Sequence, residues 1–405
     1  MHAGMDPHTT PEEIDLWETV SSDLALQQRL AAASSGEEVA QTLSGANLNP
    51  ASAERAHAES AKSWDGPPRV VREKAPPAQW LPVQLFEDGD GLRVEWHHFG
   101  FARLTDPFFE QSWAKVAALP AQSLLRVQTP VDALLEFASG PSPDGLIFHM
   151  SRCGSTLVAQ MLAELEHVTV LAEPPAFDAV LRMHRAGRLS AEHLRGGAAA
   201  LMRKRHAEAR QCVFKLDAWH TPSWPILARL FPKTPAIFLY RDPSEVLVSQ
   251  ARRPGLHAIP GQLPLSLYGF AGEDRVAEAD HAAWAIAQIA GTGLEAVSRN
   301  YATPVDYADL PDALVTNILP RFGIVPEDEE CDRLTLAGHR YSKDPARSFQ
   351  PDSDEKRGAA SPELRARIAA FGLDRIYARL IGPSNRPQAP QPSPKATMRV
   401  SYRFD

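Results

Sequence analysis

Residues 146–157, with the sequence LIFHMSRCGSTL, constrain the fold of this 405-residue chain more than any other stretch. Residues 146–148 form an apolar run that is typical of a buried strand, residues 151–154 form a turn, and a helix with an apolar face begins at Ser155. The first N–H groups of a helix have no intrahelical partner, so this layout directs backbone donors at an anion. The stretch therefore predicts a loop that binds phosphate or sulfate.

The side chains of this loop suit the same ligand. Arg152 supplies a planar positive fork, and Ser155 and Thr156 supply hydroxyl donors. A lone Gly-Ser-Thr after a strand also occurs in turns that bind no ligand. The loop by itself leaves both interpretations open, and a second motif is needed to separate them.

Composition argues against several classes of protein. The formal net charge of −8 argues against a protein held on nucleic acid by charge. The three cysteines, Cys153, Cys212 and Cys331, form no C-x-x-C pair, so neither a disulfide framework nor a zinc cluster is predicted. No apolar run is long enough to span a membrane, and the first residues lack the basic start and apolar segment of a secretory signal. We expect a cytoplasmic protein with neither nucleic acid nor membrane as partner, and its oligomeric state stays open.

The alternation of strands and helices from residue 145 onward predicts an α/β domain, with a P-loop-like parallel sheet and helices on both faces. Ligands of such sheets bind at the carboxyl ends of the strands, where the loop falls. Predicted strands cover 146–150, 168–171, 213–216, 236–240 and 305–307, and predicted helices include 130–137, 155–166, 176–209, 223–231 and 243–252. The whole chain divides into a helical N-terminal appendage at 1–60, a linker at 61–79, a hairpin and helical preface at 80–144, the α/β domain at 145–382, and a Pro-rich tail at 383–405.

A second motif, YRDPSEVLVS, directly follows the predicted strand at 236–240. Asp242 suits the N-cap of a helix and Pro243 its first position, which holds Arg241 at the strand end. Ser249 lies about two turns into that helix. The motif therefore predicts a second phosphate-binding site, formed by Arg241 and Ser249. The alternative is a salt-bridged helix cap.

Together the two motifs resemble the sulfotransferases that use 3′-phosphoadenylyl sulfate (PAPS). SRCGSTL is similar to that family's loop for the 5′-phosphosulfate, with Ser151 in place of the usual proline and Cys153 in place of the usual small residue. Arg241 and Ser249, eight positions apart, match the family's 3′-phosphate pair. The resemblance implies transfer of a sulfuryl group from PAPS to an acceptor hydroxyl, release of adenosine 3′,5′-bisphosphate, and no metal.

The resemblance covers about residues 145–345 and implies which residues bind PAPS. They are Arg152, Cys153, Gly154, Ser155, Thr156 and Leu157 in the loop, Arg241 and Ser249 in the second motif, and Ser342 and Lys343 in a late basic loop that closes over the nucleotide. A solvated basic loop is the alternative for Ser342 and Lys343.

Arg152 and Leu157 are more similar to the tyrosylprotein and carbohydrate-type branch than to the steroid and phenol enzymes. In that branch a glutamate about twenty positions after the loop arginine serves as base, which implies that role for Glu173. Lys215, at the end of a buried strand, would hold the leaving group. The alternatives are a surface carboxylate that caps the next helix and a lysine that extends to solvent.

Two histidines and a basic run complete the candidates. His220 is an alternative base, because imidazole titrates near neutral pH, and His149 is expected to pack at the strand end. The basic run at 182–210, which includes residues 203–205, predicts an acidic peptide or saccharide acceptor if it lines the cleft. A solvated helix face is the alternative for this run, and the acceptor, whether a small molecule, a peptide or a saccharide, stays open.

Two other functions remain as alternatives. A P-loop kinase or NTPase needs G-x-x-x-x-G-K-[ST], and with Gly154 as the second glycine the first falls on His149 and the lysine on Ser155. A non-catalytic binding protein with a sulfotransferase-like fold would have no need of both phosphate motifs, which are intact. We therefore favour a PAPS-dependent sulfotransferase.

Overall fold

The computed structural model describes residues 11–49, 70–268, 276–338 and 353–382. Ser342, Lys343, the predicted tail at 383–405 and part of the predicted linker at 61–79 lie outside these ranges. The described chain contains a four-stranded sheet near its start and a five-stranded parallel sheet after residue 145.

In its described residues, the first part of the chain forms five α-helices and the four-stranded sheet. Asp23 and Ser35 cap the second and third helices, because their side chains accept the N–H groups of Leu26 and Glu38. The elements are α1 (Pro11–Ser22), α2 (Leu24–Ala32), α3 (Gly36–Gly45), β1 (Val70–Val71), β2 (Trp80–Asp88), β3 (Gly91–His98), α4 (Phe109–Ala117), α5 (Gln122–Leu125) and β4 (Val127–Pro130). The strand order is β1-β4-β3-β2, and β2 and β3 form the predicted antiparallel hairpin.

The second part alternates strands with helices. Its strands are β5 (Gly145–His149), β6 (Val168–Ala172), β7 (Gln211–Lys215), β8 (Ala236–Tyr240) and β9 (Ala302–Asp306). Its helices are α6 (Ser155–Ala163), α7 (Pro175–Arg185), α8 (Ala191–Leu201), α9 (Trp224–Leu230), α10 (Pro243–Arg252), α11 (Glu278–Ser298), α12 (Leu319–Phe322), α13 (Asp328–Gly338), α14 (Ser353–Gly358), α15 (Pro362–Ala370) and α16 (Leu373–Leu380).

The five strands form one parallel sheet in the order β6-β7-β5-β8-β9. All residues of β5 and β8 are buried, as expected for apolar strands covered on both faces. The chain leaves β5 toward β6 and β7 on one side and later returns to β8 on the other. The carboxyl end of β5 therefore lies at a switch point, where open α/β sheets place their ligands.

Two predicted helices differ from the structure. Residues 131–137 form a 3₁₀ helix rather than an α-helix. The helices predicted to fill 176–209 are α7 and α8, which are separated at Gly187 with a φ of +71°, and the second of them ends at Leu201, short of residue 209. No helix follows α8 before β7, because Arg203 and Arg205 turn to bond carbonyl oxygens of the N-terminal segment, as described below.

A single cluster of buried apolar side chains extends from Leu16 to Leu380 within the described ranges. The N-terminal helices and the four-stranded sheet contribute to it alongside the parallel sheet. In the described part of the chain, no helix combines the length and apolarity that crossing a bilayer requires.

Candidate active site

The loop between β5 and α6 has the backbone of an anion-binding turn. Ser151, Arg152 and Gly154 have φ values of 71°, 53° and 84°, all in the left-handed region. Among the described residues, the N–H groups of residues 154–157 donate to no carbonyl oxygen. These are the donors that precede and begin the first turn of α6. The predicted loop therefore presents backbone donors at the carboxyl end of β5.

The side chains of the loop point in two directions. Arg152, Ser155 and Thr156 line a cavity of about 410 Å³. Cys153 and Leu157 are buried, and the Cys153 thiol lies 3.2 Å from the carbonyl oxygen of Leu239. Burial raises the pKa of Cys153 to about 12, so this thiol is inert. Cys153 and Leu157 can therefore serve a ligand only through their backbone.

Arg152 ties the loop to the segment after α10. Its guanidinium donates to the carbonyl oxygen of Arg253. On the same side, the Gln250 amide donates to Ser151 Oγ at 3.0 Å and contacts His257 Nε2 at 3.0 Å. The segment that follows α10 thus forms one wall of the cavity and fixes the loop.

A buried ion pair lies at the neighbouring strand ends. Lys215 ends β7, is fully buried, and donates to Glu173 Oε1. Glu173 follows β6 with a φ of 56°, and its N–H donates to the Lys215 carbonyl oxygen at 2.8 Å. Burial by itself raises the pKa of Glu173, but the charge of Lys215 and the contact with His149 outweigh it and lower this pKa below its ordinary value. Glu173 is therefore an ionised counterion of Lys215.

His149 is held as a neutral ring beside this pair. Its Nδ1 accepts the N–H of Ser151 at 3.1 Å, so Nε2 carries the proton, which it donates to the Leu216 carbonyl oxygen at 2.8 Å. The same Nε2 lies 3.5 Å from Glu173 Oε1. Burial lowers the pKa of His149, consistent with the neutral form. His149 therefore packs at the strand end, as expected, and also lines the cavity.

His220, the alternative base, is held from both sides. Its Nδ1 accepts the N–H of Asp217 at 3.3 Å, so Nε2 carries a proton that it donates to Asp178 Oδ1 at 2.8 Å. The Trp219 indole donates to the same oxygen at 2.8 Å. With its Nδ1 lone pair engaged, His220 is poorly placed to take a proton from a substrate.

Asp178, Asp217 and His220 form the group of metal-ligand type in the described ranges, with donor atoms within 4.8 Å of one another. The hydrogen bonds just described put a proton on the His220 nitrogen that faces Asp178, where a metal ligand needs a lone pair. The three side chains therefore fit a hydrogen-bonded cluster better than a metal site.

The cavity has carboxylates and aromatic rings that the sequence did not single out. Phe108 and Glu110, from the start of α4, line it together with Asp178, Asp217 and Trp219. The Lys215 Nζ lies 4.5 Å from the centre of the Phe108 ring. Only Asp217 carried a usable signal, because it lies two positions after Lys215, where alternation of side chains returns to the same face. Glu110 and Phe108 come from a distant part of the chain.

The second motif lies on β8 and α10, as predicted. Arg241 is buried, and its Nε donates to Glu245 Oε2 at 2.5 Å and its Nη2 to Ser353 Oγ at 3.3 Å. Its guanidinium stacks 3.8 Å from the centre of the Tyr307 ring. Ser249 is half-buried on α10. Neither Arg241 nor Ser249 is among the residues that line the cavity.

Tyr307 connects the two motifs. A Cβ built on Gly154 would lie 2.8 Å from the Tyr307 ring, and the Arg241 guanidinium lies 3.8 Å from the centre of the same ring. The loop glycine and the second-motif arginine therefore meet on one aromatic side chain. The two motifs themselves lie at adjacent strand ends, because β5 pairs with β8.

The basic run at 182–210 contributes none of the residues that line this cavity, so the condition attached to an acidic acceptor is not met here and the acceptor stays open. Arg203 donates to the carbonyl oxygens of Pro76, at 2.5 Å, and Trp80. Arg205 donates to the Ala102 carbonyl oxygen at 2.7 Å. These arginines fasten the N-terminal segment, and burial lowers the pKa of each to about 10.

Comparison with known proteins adds two distant structural likenesses. No protein-family model and no curated protein matches the chain. The sulfotransferase STF9 from Mycobacterium avium aligns with a TM-score of 0.39 and 15% identity over 60% of this chain and 81% of that one. A sulfotransferase domain from the curacin biosynthetic pathway aligns with a TM-score of 0.35 and 15% identity over 57% of this chain and 98% of that one. At these scores the alignments assign no function, which has to come from the site.

Proposed function

We propose that this chain is a PAPS-dependent sulfotransferase, which moves a sulfuryl group to an acceptor hydroxyl and releases adenosine 3′,5′-bisphosphate. The observation that carries the proposal is the loop at 151–157, whose backbone donors lie beside a cavity at the end of β5. Backbone N–H groups bind an anionic group through hydrogen bonds and form no covalent bond with it. This suits a sulfuryl group that is passed on to an acceptor.

The loop would hold the 5′-phosphosulfate. Arg152, Ser155 and Thr156 line the cavity and would add side-chain donors to the backbone N–H groups of residues 154–157. Lys215 would hold the bridging oxygen of the leaving phosphate. It lies on β7, paired with β5 in register Ile147 to Lys215, and is fully buried against Glu173, next to the cavity but not among the residues that line it. Positive charge fixed at that oxygen stabilises the electron pair that departs with the phosphate.

Arg241 and Ser249 would hold the 3′-phosphate. Arg241 stands at the end of β8, next to β5, and Tyr307 connects it to the loop. A bisphosphate that spans both strand ends would exchange the 3.3 Å contact of Arg241 with Ser353 for a charge-assisted bond to phosphate. The two proposed anion sites are separate, as are the 5′ and 3′ phosphates of adenosine 3′,5′-bisphosphate. A nucleoside triphosphate differs, because its phosphates are contiguous.

The proposal includes membership of the tyrosylprotein and carbohydrate-type branch, because Arg152 and Leu157 occupy the loop positions where that branch has the same residues. The same assignment gives Glu173 the role of base. In the structure Glu173 is the counterion of Lys215, and its lowered pKa makes it a weak acceptor of protons. The contacts of Glu173 therefore suit a residue that positions Lys215 better than they suit a general base.

Calorimetric titration with adenosine 3′,5′-bisphosphate, alongside ATP·Mg, tests the proposal. We expect binding of the bisphosphate at least tenfold tighter than of ATP·Mg, and a loss of at least tenfold with Arg241→Ala and with the milder Ser249→Ala. Arg299→Ala, which removes an exposed arginine paired with Glu295 on α11, is the matched control and should bind normally. Equal or tighter binding of ATP·Mg would return the loop to the kinase class.

A further inference from the structure

Asp217 is a buried carboxylate on the wall of the proposed site. It lies two positions after Lys215, lines the same cavity as Ser155, Thr156 and Glu173, and is 5% exposed. Building on the proposed function, we infer that Asp217 is the group that accepts the proton of the acceptor hydroxyl during sulfuryl transfer. Glu173 then acts as a positioning residue that keeps Lys215 at the strand end.

The contacts of the two carboxylates differ. Glu173 Oε1 accepts the Lys215 ammonium and lies 3.5 Å from His149 Nε2, so it is engaged by two nitrogens. The ion-pair contact of Asp217 is with His220 Nε2 at 3.7 Å, and that nitrogen already donates to Asp178. Asp217 therefore contacts a histidine whereas Glu173 contacts an ammonium, and Asp217 is among the residues that line the cavity.

The charges around Asp217 increase its affinity for a proton. Burial raises the pKa of Asp217 well above its ordinary value, and the carboxylates of Glu173, Asp178 and Glu110 raise it further, against the opposing charge of Lys215. A general base works best when its pKa lies near the operating pH. The pKa of Asp217 is shifted upward, in the direction that makes a carboxylate a better proton acceptor, whereas the pKa of Glu173 is shifted downward.

The transfer step balances with Asp217 in this role. As the acceptor oxygen bonds to sulfur, its proton moves to the Asp217 carboxylate. The bond between sulfur and the bridging oxygen breaks, and its electron pair leaves on the 5′-phosphate beside Lys215. Asp217 then returns the proton to solvent through the cavity. The loop amides hold the three equatorial oxygens of the sulfuryl group while it moves.

The pH dependence of PAPS consumption separates the two carboxylates. Water serves as the acceptor, so that no specific acceptor is needed, and release of adenosine 3′,5′-bisphosphate is measured from pH 5 to 9. We expect kcat to rise with pH along a limb that Asp217→Asn removes, with a loss in kcat of about 10²–10⁴-fold. Glu173→Gln should be slower than the unmodified protein and should keep the limb.

Bisphosphate binding and an infrared titration of the carboxyl group distinguish failure of the Asp217 inference from failure of the proposed function. Asp217→Asn should bind adenosine 3′,5′-bisphosphate within about threefold of the unmodified protein, which shows an intact fold. Infrared difference spectra should contain a protonated carboxyl band at pH 6 that Asp217→Asn removes. A profile that is flat, or a limb that Asp217→Asn leaves and Glu173→Gln removes, overturns the inference alone. Absence of bisphosphate binding by the unmodified protein overturns the proposed function as well.

Discussion

Gly154 stands where the loop enters α6, close to the Tyr307 ring that the Arg241 guanidinium also contacts. Its φ of 84° is strained for any residue with a Cβ, and that Cβ would lie 2.8 Å from both Leu310 and Tyr307. The position therefore requires a left-handed backbone conformation and also free space next to the Cα atom. Substitution here acts on the geometry of the loop and on the position of Tyr307 together.

Gly154→Ala should weaken bisphosphate binding by at least tenfold and destabilise the fold by about 1–3 kcal/mol, because both the strained φ and the clash act against it. Calorimetry and chemical denaturation measure the two effects. Gly187→Ala is the matched control, since Gly187 has a φ of 71° but nothing within 4 Å of the added Cβ. It should lose about 1 kcal/mol and keep its ligand. Equal binding losses in both variants would contradict the account.

Asp217 also has a consequence for stability. Because its pKa is raised in the folded state, the folded protein binds this proton more tightly than the unfolded chain does. Its contribution to stability is therefore present at pH values below the unfolded pKa and is lost as pH rises toward the folded one. Asp217→Asn, which cannot ionise, should have a higher Tm than the unmodified protein at pH 7 and a smaller difference at pH 4. An Asn variant that is less stable at both pH values would contradict this.

At the scale of elements, the short helix α14 covers the second motif. Arg357 pairs with Glu245 Oε1 at 3.0 Å, and Glu245 Oε2 accepts Arg241. Two arginines thus share one buried glutamate, which leaves positive charge for a phosphate at this end of β8. Without Arg357, the full charge of Glu245 would oppose a phosphate bound to Arg241.

Arg357→Ala should therefore weaken binding of adenosine 3′,5′-bisphosphate by about tenfold, equivalent to about 1.4 kcal/mol. Arg252→Ala removes a different contact between α10 and α14, the exposed pair with Glu355 at 2.8 Å. Exposed pairs contribute little, so this control should change binding by less than about threefold. If calorimetry shows the same loss for both variants, α14 acts through packing alone and the role given to Arg357 is wrong.

For the whole molecule, local patterns predicted the parallel sheet and the placement of its loop. The five predicted strands are present at 145–149, 168–172, 211–215, 236–240 and 302–306. Apart from the last, whose sequence is ATPVD, each contains an apolar run between turn residues, so its structure depends on neighbours in sequence. The positions of the motifs at the ends of β5 and β8 follow from that alternation, whereas the order β6-β7-β5-β8-β9 does not.

What the sequence did not predict depends on contacts between distant segments. Glu110 and Phe108 reach the cavity from α4, and Arg203 bonds a carbonyl oxygen of Pro76 at 2.5 Å. Neither contact has a local pattern. The like-charge environment of Asp217 needs Glu110 and Asp178 from two other elements. The roles of the site residues remain predictions that the experiments above test.

Buried histidines predict how the whole fold responds to acid. Burial lowers the pKa of His98 from 6.5 to about 4 and that of His257 from 6.5 to about 3. The unfolded chain therefore takes up protons near pH 6.5 that the folded protein refuses, so stability is lost as pH falls below that value. We expect Tm to decrease from pH 7 to pH 5, and to decrease less in His98→Gln. A Tm that is constant over this range in the unmodified protein would contradict the assignment.

The central claim is tested most directly by incubating the purified protein with PAPS labelled at sulfur and following both products. The account predicts release of adenosine 3′,5′-bisphosphate in step with transfer of the label to water or to an added hydroxyl acceptor, and loss of both in Arg152→Ala and Lys215→Ala. Arg299→Ala should retain both. Labelled PAPS that stays intact in the presence of protein that binds the bisphosphate would contradict catalysis and leave a binding protein in its place.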